Sequence, residues 1–530
     1  MKVAGFNSGH DCAYAVLDNG IPIIHAELER YIRIKEPPGD SIQFLFDTYP
    51  EAEEIVHFAH WSETNPNWAI RNKYPESFKK ALQTTSKNGG SFYEPGHHLC
   101  HAANALFSSN YKDALVITID GGGRDIIDDQ SLIGTFTAWK GDDLDFELLA
   151  YLQEHEINIG TMWNQCTSQI FGLSSGYPKG NQCGSVMAMA CMGDASKYYD
   201  EFYNHRFKHP SMRPFNFGKF KEIAEASEQG AFDVAAALQR ATETVVKEIL
   251  DPLVENSDSD NICLSGGVVL NSVMTGKLAK DWYPDKNIYV CPVPYDAGLA
   301  IGAAQYVWHT MLRNERIQWE DNCTPYLGVT HSEESIVATL NSRTADVFWH
   351  RADVDAIVDK LDQGFIVSVF SQGSESGRRA LGNRSILADP RNPDMKDIIN
   401  EKVKHRQWYR PFAPSIIREE VKNWFTTDQS SPYMSFVLDF TEEAAEKVPA
   451  VAHFDNSARL QTVTEKDNAW YYNFLKKWQE KSGVPIILNT SFNDREPIVE
   501  NPDHAVNCFL KTDIDFLFFC DYNILVKKNK

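Results

Sequence analysis

Two histidines four residues apart, His97 and His101, follow Pro95-Gly96 and precede the apolar run Ala102 to Phe107. On a helix they lie one turn apart on one face, the arrangement that two ligands of one metal ion need. The pair alone is a weak signal. With 16 His in 530 residues, about half an occurrence is expected by chance, and His205 with His209 is a second copy. Company distinguishes the first copy: Asp120 follows the apolar run Ala114 to Ile119, and Asp296 lies in the Gly-rich segment Pro294 to Gly302. Two imidazoles and two carboxylates suit a borderline dication such as iron, manganese or zinc. Three glycine turns, Asn7 to Asp11, Asp120 to Gly123 and Ser265 to Gly267, are candidates to cradle phosphates through backbone N–H groups. None matches a P-loop or a dinucleotide fingerprint, and only their number favours a nucleotide site over plain turns.

A second concentration of chemistry lies downstream. Arg378 to Arg418 holds ten Lys or Arg against four Asp or Glu, inside a chain of formal net charge −22. A solvated basic face or an ion-pair network is the plain alternative. The cations, however, alternate with turn formers (Gly377, Gly382, Pro390, Pro411, Pro414) and aromatics (Trp408, Tyr409, Phe412). That mixture reads as a pocket for a small phosphorylated ligand.

Such residues need elements to hold them. Val3 to Phe6, Ala13 to Leu17 and Ile21 to Ile24, with Asn19-Gly20 before the last, predict an opening β-hairpin. Ala114 to Ile119 and Asn261 to Leu264 read as strands ending in glycine turns, the second followed by a helix from Asn271. Phe232 to Asn256 carries Val234, Leu238, Ala241, Val245, Ile249 and Leu253 at spacings of three and four, the apolar face of a long scaffold helix. Strands alternating with helices predict an α/β fold with ligands at the strand ends. The pattern weakens near 315–345, which predicts two domains, 1–345 and 346–530.

The 530 residues, 43% hydrophobic and 23% charged, exceed what one core holds. The negative charge argues against nucleic acid as the main partner. No apolar stretch reaches the roughly 20 residues of a membrane helix, and Met1 to Gly5 opens a strand instead of a signal peptide; a cytoplasmic protein with no membrane partner is expected. Ten cysteines without a CxxC pair predict small core residues of a reducing compartment. Without heptads or a large apolar stripe the oligomeric state stays open, a homodimer included.

In order along the chain, Gly9-His10-Asp11, Glu29-Arg30 with Arg33 and Lys35, the His97/His101 pair, the Asp120 turn, Ser265-Gly-Gly-Val-Val-Leu-Asn271 and Asp296-Ala-Gly298 resemble the first domain of O-carbamoyltransferases of the nodulation-factor, cephamycin and tobramycin type. The second domain resembles them more closely still, through Arg379-Ala-Leu-Gly-Asn-Arg-Ser385, Ala388-Asp-Pro-Arg391, Arg410-Pro-Phe-Ala-Pro414, Arg459-Leu-Gln-Thr-Val463 and Leu488-Asn-Thr-Ser-Phe-Asn493. The resemblance covers essentially the whole chain. It implies an N-terminal actin/hexokinase-like domain related to the tRNA threonylcarbamoyl-transferring protein (Kae1-like), and a C-terminal α/β domain similar to the enzyme that makes threonylcarbamoyl-adenylate (YrdC-like).

The resemblance also implies a chemistry. Carbamoyl phosphate is cleaved in the second domain, the carbamate reacts with ATP, bound with Mg2+, to give carbamoyl-adenylate and pyrophosphate, and a metal-assisted transfer in the first domain places the carbamoyl group on an alcohol. Position by position it makes His97, His101, Asp120 and Asp296 ligands of Fe2+, or of Mn2+ or Zn2+, and His10 the catalytic base. Gly121, Gly122, Gly266, Gly267 and Asn271 fall to the nucleotide, and Arg379, Lys404, Arg410, Arg459 and Ser491 to carbamoyl phosphate and the adenylate. Cations and a hydroxyl donor suit a phosphate and a developing carbamate, and an imidazole titrating near neutrality suits removal of the acceptor's proton. The chain departs from the family in three places. Ser185, in Cys183-Gly-Ser-Val-Met-Ala-Met-Ala190, replaces a lysine; Arg378 replaces a proline; and Arg33-Ile-Lys35-Glu36-Pro37 lacks a histidine after the lysine.

The expected activity is an ATP-dependent O-carbamoyltransferase acting on a hydroxyl of a small secondary metabolite, antibiotic- or toxin-like. An actin/hexokinase-superfamily kinase of a small molecule accounts for the nucleotide turns but leaves His97, His101 and the Arg-rich domain idle. A non-catalytic nucleotide-dependent assembly module predicts no metal and no use for Arg459 or Ser491.

Overall fold

Asn19 and Gly20 both take positive φ, 48° and 84°, as a two-residue hairpin turn demands. They join β2 (Ala13–Asp18) to β3 (Ile21–Glu27), and β2 pairs antiparallel with β1 (Lys2–Asn7). The computed structural model describes residues 1–61 and 73–529. On its other edge β1 pairs parallel with β4 (His57–His60), followed by β5 (Phe92–Tyr93), giving the order β3-β2-β1-β4-β5.

The next sheet repeats that plan. β6 (Asp113–Ile127), β7 (Gln130–Asp142) and β8 (Asp145–Gln153) form an antiparallel meander. After the small ladder of β9 (Ser175–Gly176) and β10 (Gly180–Asn181), the parallel strands β11 (Asn261–Ser265) and β12 (Asn287–Val290) extend it, giving β12-β11-β6-β7-β8. Here one expectation is corrected. The strand from Ala114 does not end at Asp120 but continues to Ile127, and the glycines form a kink where the pairing register shifts between Ile119 and Gly123. Gly122 supplies the φ of 134° that a bulge in a long hairpin requires. β11 does end in its glycine turn, at Gly266 with φ 99°.

The scaffold helix runs Glu228–Glu255, four residues earlier than its apolar face indicates, because Ser227 caps it by accepting the Gly230 N–H at 3.0 Å. Helix His97–Phe107 packs on β6 and β11, helix Leu299–Tyr306 packs on β1, and the two helices pack on each other. Gly302 permits that approach: a Cβ there would lie 1.9 Å from the Cys100 carbonyl oxygen.

β13 (Val347–Arg351), β14 (Val367–Phe370), β15 (Arg384–Ala388), β16 (Ala413–Ile417), β17 (Phe436–Asp439), β18 (Ser457–Val463), β19 (Ile486–Ser491), β20 (Phe516–Phe519) and β21 (Ile524–Lys528) form a nine-stranded sheet. Its order is β13-β21-β20-β14-β15-β19-β16-β18-β17. β14, β15 and β16 are buried along their whole length, Arg384 at the head of β15 included.

The chain divides into Met1–Asn271 with Trp282–Thr324, and Ser272–Asp281 with the residues from Pro325 onward. The boundary thus falls at 324/325 and not at 345/346, because Pro325 and Gly328 already bond into the second unit: Ser376 N–H donates to Pro325 O at 2.7 Å and Gly328 N–H to Ser374 O at 3.0 Å. The segment Ser272–Asp281 joins that unit through Thr275, whose hydroxyl donates to Ser435 O at 2.5 Å, and Lys280, which pairs with Asp439 at 2.6 Å. Met274 and Leu278 are fully buried there.

All ten cysteines are unpaired; seven are buried and Cys191 alone is exposed. No helix among the described residues is long and apolar enough to cross a membrane.

Candidate functional site

The first unit gathers His97, His101, Asp120 and Asp296 at one point, all four buried, with a potential ligand atom of each within 4.8 Å of the others. The Nε2 atoms of His97 and His101 each stand 3.0 Å from the same oxygen, Asp120 Oδ2, and His101 Nε2 lies 3.5 Å from Asp296 Oδ1. The helix carrying the imidazoles starts at Gly96, which offers no capping side chain; Asp125, on the far arm of the β6 hairpin, does that work. Its Oδ1 accepts the His98 N–H at 2.8 Å, and its Oδ2 accepts from His98 Nδ1 at 2.7 Å and from the Tyr151 hydroxyl at 3.2 Å. The His97 ring fills the space over Gly123, where a Cβ would fall 2.0 Å from its Cγ, and meets Trp61 edge-on at 5.2 Å.

Asp296 is clamped from β3. His25 Nε2 pairs with Ala297 O at 2.9 Å, and the Tyr295 hydroxyl donates to Glu27, itself paired with Arg30 at 3.3 Å. His10 stands in front of this loop with its Nε2 2.9 Å from Asp296 Oδ2. Its turn is held by the Asn7 amide, which donates to the carbonyls of His10 and Asp11 at 3.1 and 3.0 Å and is fixed in turn by Trp61 Nε1 at 2.7 Å.

Burial and mutual repulsion would keep two such carboxylates protonated. The imidazoles outweigh both effects, holding Asp120 down at about 2 and Asp296 well below the usual carboxylate range. Reciprocally, Asp296 raises His10 to about 10; burial would lower His101, but the two carboxylates hold it up at about 9. The site therefore carries shared protons where a dication fits, and its two nitrogens and two oxygens are the donors a borderline metal takes.

The glycine turns serve this cluster. Gly121 N–H and Gly267 N–H both donate to Asp120 Oδ1, at 2.6 and 3.3 Å, and Gly266 N–H donates to Pro294 O at 2.7 Å. These three amides orient protein groups. Gly122 lies in the bulge beside them, and Asn271 exchanges amide hydrogen bonds with Gln239 of the scaffold helix at 2.9 and 3.2 Å. The second His pair is separated: the helix ends at His205, whose Nε2 meets Arg213 O, while His209 bonds Ser211 in the following loop.

The second unit concentrates cations. Burial first, then the charges of Arg379, Arg406 and Arg410, pushes the Arg459 pKa well below its ordinary value; burial does the same to Arg406 and lowers that of Arg410. Arg406, Arg410 and Arg459 make no ion pair among the described residues, and Arg406 lies 4.6 Å over the Phe412 ring. The Arg379 turn is held by the fully buried Glu375, whose Oε1 accepts the N–H groups of Leu381 and Asn383 at 2.8 Å and of Arg384 at 3.0 Å. Lys404 reaches Ser491 but donates chiefly to protein oxygens: Ser491 O, Asn493 O at 3.0 Å and Asn493 Oδ1 at 2.7 Å. Motif reading assigned no role to Arg406, Glu375, Asn493, His98 or Asp125, although Arg406 lies inside the basic run near Phe412 and Asn493 closes the Leu488–Asn493 motif.

Comparison with known proteins bears on both clusters. The carbamoyltransferase N-terminus family matches residues 64–305 and the carbamoyltransferase C-terminus family residues 358–527. Nodulation protein NolNO of Sinorhizobium fredii is 33% identical over 98% of this chain and 79% of its own length. The chain belongs to the carbamoyltransferase family. A 3'-hydroxymethylcephem-O-carbamoyltransferase of Streptomyces clavuligerus is 27% identical over 93% of each chain. Among solved structures, full-length HypF in its phosphate- and nucleotide-bound form aligns over 58% of this chain at 11% identity and a TM-score of 0.34. In this carbamoyltransferase the His97, His101, Asp120 and Asp296 cluster falls inside the N-terminal match, and the arginines with Ser491 fall inside the C-terminal match. His10 precedes the matched segment.

Proposed function

We propose that this carbamoyltransferase activates carbamoyl phosphate with ATP in its second unit and delivers the carbamoyl group to an alcohol of a small secondary metabolite in its first. Water splits carbamoyl phosphate to carbamate and phosphate; a carbamate oxygen attacks the α-phosphorus of ATP, releasing pyrophosphate; the acceptor oxygen then attacks the carbamoyl carbon, releasing AMP. The observation that carries this reading is the set of half-buried guanidiniums of Arg406, Arg410 and Arg459, which have no carboxylate partner among the described residues. Withdrawing three cations from water without a counter-charge is costly, an arriving anion offsets that cost, and forked donors suit phosphate. The YrdC-like reading of the second unit and the actin/hexokinase-like reading of the first, supported by its duplicated sheet plan, agree with this division of labour.

His97, His101, Asp120 and Asp296 would hold Fe2+, Mn2+ or Zn2+, which would supply Lewis acidity to the carbamoyl transfer. His10 is the group placed to take the acceptor's proton. It acts as a base only in the neutral form, once the charge of Asp296 that now holds its proton is spent elsewhere.

The test is pyrophosphate release by the full chain given ATP and carbamoyl phosphate, together and separately. Pyrophosphate only from the combination supports the carbamoyl-adenylate route. Release of ADP, or no nucleotide turnover across divalent metals, overturns it.

A further inference from the structure

The water that splits carbamoyl phosphate must give up a proton, and the guanidiniums and the ammonium assigned to that ligand are donors only. An acceptor follows them in the chain. His405 comes directly after Lys404, and its Nδ1 donates to Asp494 Oδ2 at 3.1 Å, next to the 2.7 Å contact between Lys404 and Asn493. A carboxylate only accepts, so the proton in the His405–Asp494 contact is on Nδ1 and Nε2 of the neutral ring carries a lone pair. Nε2 makes no hydrogen bond among the described residues, and the ring is exposed. The backbone is built to hold it there. His405 takes φ 45° and Arg495 φ 57°, both in the left-handed region that residues other than glycine rarely enter. Arg495 closes on His405 by donating from Nε to His405 O at 2.8 Å, with a terminal guanidinium nitrogen on the same oxygen. Two such residues pinned to each other point to a conformation kept for function.

We propose that His405 is the base of the hydrolytic step, with Asp494 as its positioning residue. The inference rests on carbamoyl phosphate being the substrate of the second unit. The water oxygen bonds to the carbamoyl carbon as one of its protons passes to His405 Nε2. The bond from that carbon to the phosphate oxygen breaks with its electron pair on the phosphate, which takes the proton from His405 and leaves as hydrogen phosphate. The carbamic acid formed loses its remaining acidic proton to solvent and becomes the carbamate that attacks ATP. That second attack needs no base, because the carbamate oxygen already carries its charge. The dyad is therefore required for one half of the second unit's work and idle in the other.

Carbamate supplied directly, as freshly dissolved ammonium carbamate, separates the two halves. Pyrophosphate release by the full chain is measured with ATP and carbamoyl phosphate, and again with ATP and carbamate. His405→Gln is expected to lower kcat from carbamoyl phosphate about 100-fold, the worth of a general base, and Asp494→Asn about tenfold, the loss of one orienting hydrogen bond. Release from carbamate is expected to stay within about twofold in both variants, which also shows that they are folded. Equal losses with the two substrates would overturn the proposal, since the dyad would then only hold the turn, and so would a wild-type rate from carbamoyl phosphate in His405→Gln. Absence of pyrophosphate from carbamoyl phosphate with the wild type itself would overturn the substrate reading and this inference with it, and is told apart because no variant is needed to see it.

Discussion

At the scale of single residues, protons decide what the first unit does. His60 on β4 donates from Nδ1 to Trp61 O at 2.7 Å and accepts the Ser8 N–H at Nε2, 3.3 Å away, so only the neutral ring fits. Burial lowers its pKa to about 4, and burial with the nearby Arg316 charge does the same to His309. The unfolded chain takes up these protons near pH 6.5 and the folded chain only near pH 4, so their contribution is complete above pH 6.5 and is lost as pH falls toward 4. Urea unfolding across that window is expected to show a slope of up to about 1.4 kcal/mol per pH unit from each ring, and His60→Gln to remove one of the two. Asp120 is the oxygen both metal-site imidazoles face, so Asp120→Ala is expected to weaken Mn2+ binding at least about 100-fold. Titration of the purified chain with Mn2+ by electron paramagnetic resonance checks this, and an unchanged affinity would remove Asp120 from the ligand set.

At the scale of elements, the helix His97–Phe107 is set by a residue on another strand. Asp125→Ala is expected to cost about 2 kcal/mol in urea unfolding, because it leaves the His98 N–H and Nδ1 buried without an acceptor. Gly123→Ala is a sharper probe, since its Cβ would overlap the His97 ring. The ring must leave, and Mn2+ affinity is expected to fall while the far-ultraviolet circular dichroism holds. The local parts of this architecture were legible in the sequence: the Asn19-Gly20 turn, the three-four periodicity of the scaffold helix and the i,i+4 spacing of the histidines all act over a few residues. The continuation of β6 through Asp120 to Gly123 was not, because glycine composition is the same for a turn and for a bulge, and partner strand β7 decides between them. Nor were Asp125 and Glu375, whose roles arise from contacts that no spacing announces.

At the scale of the molecule, the chain does not divide by simple cutting. Residues 325–530 expressed alone would lack Thr275 and Lys280, leaving Ser435 O just before strand β17, and Asp439 on it, without those partners. Amides of β17 are expected to exchange hydrogen faster in that fragment than in the full chain, and equal protection by mass spectrometry would show that Ser272–Asp281 is dispensable. The net charge of −22 is spread over the whole chain and the second unit's cations are local, so the sequence showed the anomaly without showing which arginines share a site.

That borrowed segment also sets a schedule for biosynthesis. Ser435 follows Thr275 by 160 residues, so at about 5–20 residues per second the ribosome takes about 8–32 seconds to deliver the strand that covers it. Throughout that interval the helix Ser272–Lys277 waits without the strand it packs against, and this short stretch of the nascent chain stays open to other contacts.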